Sequence, residues 1–306
     1  MTETFVLESH HDRLLLHGLV VRPEQEPCRG ILQVAHGMCE HKERYLPFLQ
    51  EMADHGYLCI IHDHRGHGES VRQPEDLGYF YPDGGTAIVS DLYQVTRWIR
   101  EQYPELPLYL FGHSMGSLVV RCYLKRYPDV PDGVFVCGSP SAVFGMGLGE
   151  RVRALLARKK GAQYHSPILA EALFGGFQKP FREEGRPSGP RKNLTIVVLG
   201  ETSRAANFSL NGYEALLYLL RTVYSTEDWR VTQPELPIRF LSGAEDPCRD
   251  SDQKFQQAAE LLRSVGYQNV TARLFPAMRH EILNEPQKEL VYQDILKTIQ
   301  IWEENQ

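Results

Sequence analysis

The chain reads as an α/β fold with a mostly parallel central sheet, helices on both faces and a helical insertion late in the sequence. Three observations lead there. Short apolar runs rich in β-branched and aromatic residues recur at 30–36, 57–63, 108–112, 133–139, 237–243 and 271–276. Near-continuous apolarity is what a strand covered on both faces requires. Helical patterns lie between most of these runs, the alternation that builds a parallel sheet. The rhythm then breaks between about Pro140 and Trp229, a stretch too long for one crossover.

The elements follow in order. The first residues, through "RLLLHGLVVR", alternate loosely and predict an antiparallel strand pair at one edge of the sheet. "RYLPFLQEMADHGY" has helical apolar spacing and stops at Gly56. "TAIVSDLYQVTRWIREQYP" puts Ile88, Leu92, Val95, Trp98 and Ile99 on one face and ends before Pro104. "SLVVRCYLKRYP", "DQKFQQAAELLRSVGY" and "ELVYQDILKTIQIW" predict three more helices. The interrupting stretch holds the apolar clusters "ILAEALFGGFQKPF" and "YEALLYLLRTVY" around a polar, proline-bearing segment, "FREEGRPSGPRKN". It predicts a mainly helical cap over 140–229, with the core formed by 1–139 and 230–306. Periodicity does not decide whether "TIVVL" (195–199) is strand or buried helix.

Composition narrows the function classes. The 306 residues suit one α/β domain carrying an insertion, and 42% apolar with 24% charged residues is ordinary for a globular protein. A net charge of −6 argues against a nucleic-acid surface. The N-terminus carries acids and no apolar run behind a basic stretch, so no signal peptide is expected. No segment approaches the roughly 18 apolar residues of a membrane span. The six cysteines are scattered without a CxxC pair, which predicts free thiols and a cytoplasmic setting.

Gly112-His113-Ser114-Met115-Gly116 interrupts the apolar stretch "LYLFGHSMGSLVV". It fits G-x-S-x-G between a predicted strand and a predicted helix, the context that presents a nucleophilic serine on a sharp turn. Oγ then stands clear of the sheet at a helix N-terminus, where free N–H groups favour developing negative charge. Serine needs a base. Of twelve histidines, His280 in "FPAMRHEILNE" directly follows the last predicted strand. His113 should point away along the turn, and His165 lies in the insertion. An acid must fix the tautomer of that base. "LSGAEDPCRD" offers Glu245, Asp246 and Asp250, and Asp246, at the turn beyond the strand, is preferred. An oxyanion needs two backbone donors. Met115 N–H supplies one, and Met38 N–H, after the His36-Gly37 pair, is assigned the other.

The ordered segments "AHGMCEHKERY", "DHRGHGES", "GHSMG", "SGAEDP" and "RHEILNE" resemble the monoacylglycerol lipase and lysophospholipase family, grouped with serine aminopeptidases of the α/β-hydrolase fold. The resemblance covers roughly 1–139 and 230–306. It implies a triad of Ser114, Asp246 and His280, no metal and no cofactor. It also implies a carboxylic ester hydrolase acting through an acyl-enzyme on monoacylglycerol or lysophospholipid-like esters. Asp63 and Arg65 are then expected to brace the oxyanion loop, with Gly66 and Gly68 turning the chain.

Alternatives remain open. The cluster His62, Asp63, His64 and His67 lacks the spacing of hydrolytic metal motifs. Ile168, Leu169, Phe174, Phe177, Leu216, Leu217 and Leu220 could line an acyl channel or merely pack the cap; Phe174, Phe177, Leu216 and Leu220 are the substrate-binding candidates. A peptidase would need a cap carboxylate, for which Glu171, Glu183 and Glu184 are available. A non-catalytic binding protein usually lacks a triad member, and an aspartate-nucleophile hydrolase is disfavoured by the serine. The partner expected is a small acyl ester, with transient contact with a lipid surface.

Overall fold

The computed structural model describes residues 1–24, 27–142, 146–171 and 208–305. Its sheet has strands β1 (Thr2–Glu8), β2 (Leu15–Val21), β3 (Gly30–Ala35), β4 (Tyr57–His62), β5 (Leu108–His113), β6 (Gly133–Cys137), β7 (Ile238–Gly243) and β8 (Val270–Phe275). The spatial order is β1-β2-β4-β3-β5-β6-β7-β8. β1 and β2 form the expected antiparallel edge pair, β2 joins β4 antiparallel, and every pairing from β4 onward is parallel.

Alternation along the strands sorts the core into two layers. Ile31, Leu58, Leu110 and Val134 face one way, onto helices α2 (Gly84–Gln102), α3 (Met115–Arg126) and α6 (Asp252–Ser264). Leu32, Cys59, Phe111 and Phe135 face the other, onto α1 (Leu46–Asp54) and α7 (Lys288–Glu304). The α2 stripe behaves as its spacing requires: Ile88, Leu92, Val95 and Ile99 are wholly buried, and Trp98 stacks on Phe5 at 4.7 Å between ring centroids.

Two further helices fall within the range expected to form the cap: α4 (Met146–Lys160) and α5 (Leu210–Tyr224). α5 opens on Ser209, whose hydroxyl accepts from Gly212 N–H at 3.2 Å. It then lies directly on the core. The Arg121 guanidinium donates to Val223 O at 3.2 Å, and a side chain at Gly85 would collide with Tyr218. Leu216 and Leu220 sit in the same apolar cluster as Ile88 and Leu118, against the core. The segment 195–199 lies outside the described residues.

The turn after β4 divides its work differently from expectation. Asp63 does hold the loop after β3, accepting from Lys42 N–H at 2.7 Å and Lys42 Nζ at 2.8 Å. Arg65 does not reach that loop. Wholly buried, it grips Asp91 at 2.7 Å, Asp12 at 3.2 Å and Phe80 O at 3.2 Å, tying the β1–β2 turn to α2. Removing one partner of a buried ion pair strands the other in low dielectric. Arg65→Met should therefore lower stability by about 3–5 kcal/mol, measured by urea denaturation, whereas Arg13→Met, at an exposed pair with Glu8, should leave the denaturation midpoint almost unchanged.

Candidate active site

The turn between β5 and α3 carries Ser114 at φ 52° and ψ −117°, a region that side-chain-bearing residues avoid. Glycines on both sides make the turn feasible. A Cβ at Gly116 would run into Ala35 O, and one at Gly112 into Gly116 O, so helix and sheet approach more closely than any side chain permits. Ser114 N–H donates to Cys137 O at 2.9 Å, which ties the turn to β6. Gly37 lies so near that a Cβ on it would stand 3.1 Å from Ser114 Cβ. The loop after β3 is thus packed against the serine. Among the described residues, neither Met38 N–H nor Met115 N–H has a hydrogen-bond partner.

His280 arrives on the loop after β8. Its Nε2 is 2.8 Å from Ser114 Oγ, and its Nδ1 is 3.0 Å from each carboxylate oxygen of Asp246. Asp246, at the end of β7, is buried and accepts two more bonds, from Ser242 Oγ and Cys248 N–H, both at 2.8 Å. With Asp246 an acceptor only, the proton of His280 sits on Nδ1, leaving Nε2 to accept from the serine. Glu245 and Asp250 point to solvent instead; Glu245 lies 3.7 Å from Arg279 and Asp250 pairs with Lys254. Burial pushes the Asp246 carboxyl up, but the charge of His280 and the donated bonds hold it below the usual range. Burial pushes the His280 imidazole down, and the Asp246 charge outweighs this and raises it well above its ordinary value.

Other residues complete the site. Gly138, at φ +54°, leaves room for the His280 ring, which a Cβ would approach to 3.2 Å. Cys248 Sγ lies 3.8 Å from His280 Nε2. His113 does point away from the cleft, into a buried group with Glu40 and Tyr45. Among the described residues, two groups of side chains have ligand atoms within 4.8 Å of one another, His113/His280/Glu281 and Asp246/Cys248/His280. Both draw on His280, whose nitrogens already face Ser114 and Asp246. His36, His62, His64 and His67 do cluster, with ring centroids of His36 and His64 4.3 Å apart, but they form no such group. Of the insertion candidates, Leu169 and Leu217 are buried, Ile168 is largely exposed, and His165 pairs with Ser209 in an isolated bridge. Glu171 is exposed, while Phe174, Phe177, Glu183 and Glu184 lie outside the described residues. Glu40, Tyr45, Ser242 and Gly138 are not singled out by the sequence: Ser242 and Glu40 act through short local contacts, to Asp246 and Gly37, that no motif marks, while Tyr45 and Gly138 meet His113 and His280 from other loops.

Several known proteins are similar to this chain. A family model described as serine aminopeptidase, S33, matches residues 26–168. The monoacylglycerol lipase of Mycolicibacterium smegmatis is 26% identical over 291 residues, 90% of each chain. A carboxyl esterase from Bacillus coagulans superposes with a TM-score of 0.85 at 23% identity, over 98% of both chains. A lipase structure in an open form superposes with a TM-score of 0.84 at 26% identity, over 97% of both chains.

A histidine held this way and acting as a base makes two measurable demands. It accepts a proton only when neutral, so kcat/KM should fall on the acid side with a midpoint above about 6.5, the ordinary imidazole value. Asp246→Asn removes the raising charge and leaves the burial, so that midpoint should move to lower pH. The same variant should cut kcat by roughly 10⁴-fold, while Glu245→Gln and Asp250→Asn stay within about threefold of wild type. Steady-state kinetics across pH on the three variants check both.

Proposed function

We propose that the chain is a serine ester hydrolase of the lipase and esterase group of α/β-hydrolases, in which Ser114, His280 and Asp246 hydrolyse monoacylglycerol or lysophospholipid-like esters through an acyl-enzyme. Ser114 Oγ attacks the ester carbonyl as His280 Nε2 takes its proton. The tetrahedral oxyanion is held by Met115 N–H and Met38 N–H. His280 then protonates the departing alcohol, the acyl group remains on Ser114, and a water deprotonated by His280 releases the acid. Asp246 keeps the tautomer and balances the imidazolium. The observation that carries this reading is the line of hydrogen bonds from Ser114 Oγ through His280 to Asp246, at 2.8 Å and 3.0 Å. Its position, beside two unengaged backbone donors on a strained turn, is what an acyl-transfer site needs.

The substrate class draws on the relative's name and on the cap. In this reading residues 140–229 roof the serine, and the apolar residues of the insertion, Phe174 and Phe177 among them, hold the acyl chain. Helix α4 supports contact with a lipid surface: it carries exposed Val152 and Leu155 together with Arg151, Arg158, Lys159 and Lys160. The six thiols, none in a disulfide, favour a reducing, cytoplasmic compartment.

A fluorophosphonate probe should label wild-type protein and fail to label Ser114→Ala; labelling of the variant would remove Ser114 as nucleophile. In a p-nitrophenyl ester series, kcat/KM should climb by up to about fourfold per methylene, the equivalent of ~0.8 kcal/mol of burial, and level off at middle chain length. A flat or falling profile from acetyl onward would mean that the cap holds no acyl chain. Turnover of aminoacyl-naphthylamides in preference to esters would shift the reading to a peptidase.

A further inference from the structure

Beneath the cleft lies a second buried histidine with a carboxylate partner. His113, immediately before the nucleophile, is almost wholly buried, and both of its nitrogens are engaged. Nε2 is 3.1 Å from the backbone oxygen of His280; a carbonyl only accepts, so Nε2 carries a proton. Nδ1 is 3.1 Å from Tyr45 Oη and 3.5 Å from Glu40 Oε2. Tyr45 spends its one proton on Glu40 Oε2 at 2.7 Å, so Nδ1 must donate to Tyr45 as well. Both nitrogens are therefore protonated. Burial pushes the Glu40 carboxyl up, but His113, and after it Arg44 at 3.3 Å, hold it well below its ordinary value; Arg44 also pairs with Glu281 at 3.2 Å.

Glu40 does more than balance this charge. Its Oε2 accepts Gly37 N–H at 2.6 Å, while His36 Nδ1 lies 2.8 Å from Gly37 O. Because His36 Nε2 accepts from His64 N–H at 2.9 Å, Nδ1 carries the proton and donates to that carbonyl. Gly37 C=O and Met38 N–H belong to one planar peptide. Gripping the oxygen sets the direction of the hydrogen.

We propose that His113, held as an imidazolium by Glu40 and Tyr45, is a positioning residue that fixes the oxyanion loop and the base's loop relative to each other. One end of the ring holds His280 by its backbone; the other holds Glu40, which holds Gly37. The inference rests on the Ser114–His280–Asp246 reading above. The charged and titratable groups around the ring are Glu40, Arg44 and Tyr45 from the segment after β3, Cys137 at the end of β6, and His280 and Glu281 after β8, with Asp246 behind His280. The ring centroids of His113 and His280 are 4.9 Å apart, close enough for the cation to oppose protonation of the base.

The test compares kcat, KM and pH profiles on one p-nitrophenyl ester for wild type, His113→Gln and Tyr45→Phe, with thermal melting of each. In His113→Gln, kcat should fall about 10- to 100-fold with KM within about threefold. The acid midpoint of kcat/KM should rise by about one unit, because a cation has been removed and Glu40 left behind. Tyr45→Phe keeps the cation, so its midpoint should stay put while kcat drops about threefold or more. A role in folding alone would lower the melting temperature without moving the midpoint; that result overturns the proposal, as does a rise in KM at constant kcat. If His113→Gln fails to fold, Tyr45→Phe decides: kcat within about twofold of wild type in folded protein overturns it. Ser114→Ala is run alongside. Residual labelling there defeats the triad reading itself, whereas loss of labelling with an unaffected His113→Gln defeats this inference alone.

Discussion

Everything at the cleft hangs on a backbone conformation at one residue. Ser114 sits at φ 52° and ψ −117°, which costs on the order of 1–3 kcal/mol for a residue with a side chain. The strain persists because its surroundings leave no alternative. β5 enters between β3 and β6, α3 leaves toward one face, and the approach at Gly112 and Gly116 is too close for any Cβ. The result turns Oγ out of the sheet and leaves the first N–H of α3 without a helical acceptor. A relaxed turn would lose both. The proposed nucleophile and one of the proposed oxyanion donors are therefore set by a single backbone geometry.

The same close approach recruits the other partners through topology. In a parallel sheet all carboxyl ends point one way, so the loops after β3, β5, β7 and β8 open onto one edge. Residues far apart in sequence meet there without a dedicated structure: Asp246 after β7, His280 after β8, Gly37 after β3. Asp246 is wholly buried, which would cost several kcal/mol if its charge were unmatched. Three donors, from His280, Ser242 and Cys248, match it. The buried Asp246 is thus a product of the β7 turn, whereas the turn's other acids, Glu245 and Asp250, are exposed, the first 3.7 Å from Arg279 and the second paired with Lys254.

How much of this could be read from residues alone follows from what kind of contact each feature needs. Strands β3 to β6 were legible because burial on both faces demands unbroken apolarity, and their observed spans match the apolar runs closely. The G-x-S-x-G turn was legible because its chemistry is local, five residues in one strand–helix junction. The choice of Asp246 and His280 followed from strand order rather than from their neighbours. α5 is the contrary case. "YEALLYLLRTVY" announces an apolar helix but not the surface it covers, and an amphipathic stripe satisfied by α2 and α3 looks the same in sequence as one satisfied by a cap or a ligand. Arg65 shows the same limit for charge: its partner Asp91 lies on a different element, and spacing says nothing about it.

The buried histidines bring that limit to its sharpest form. His36, His62, His64, His67, His113 and His280 are all within the molecule, and composition cannot tell them apart. Burial alone drives an imidazole toward the neutral state, and it does so at His62, pushed down to about 3, and at His67, pushed down to about 4. At His280 and His113 the shift reverses, and the causes are carboxylates: Asp246 at 3.0 Å for one, Glu281 together with Glu40 at 3.5 Å for the other. One side-chain type thus occupies two electrostatic states within one molecule. The first group fills space and orients a peptide. The second holds protons against burial, one beside Ser114 and one beneath it. What separates them is which loops the sheet brings within hydrogen-bond reach of an acid, and that is decided by strand order rather than by any motif in which a histidine sits.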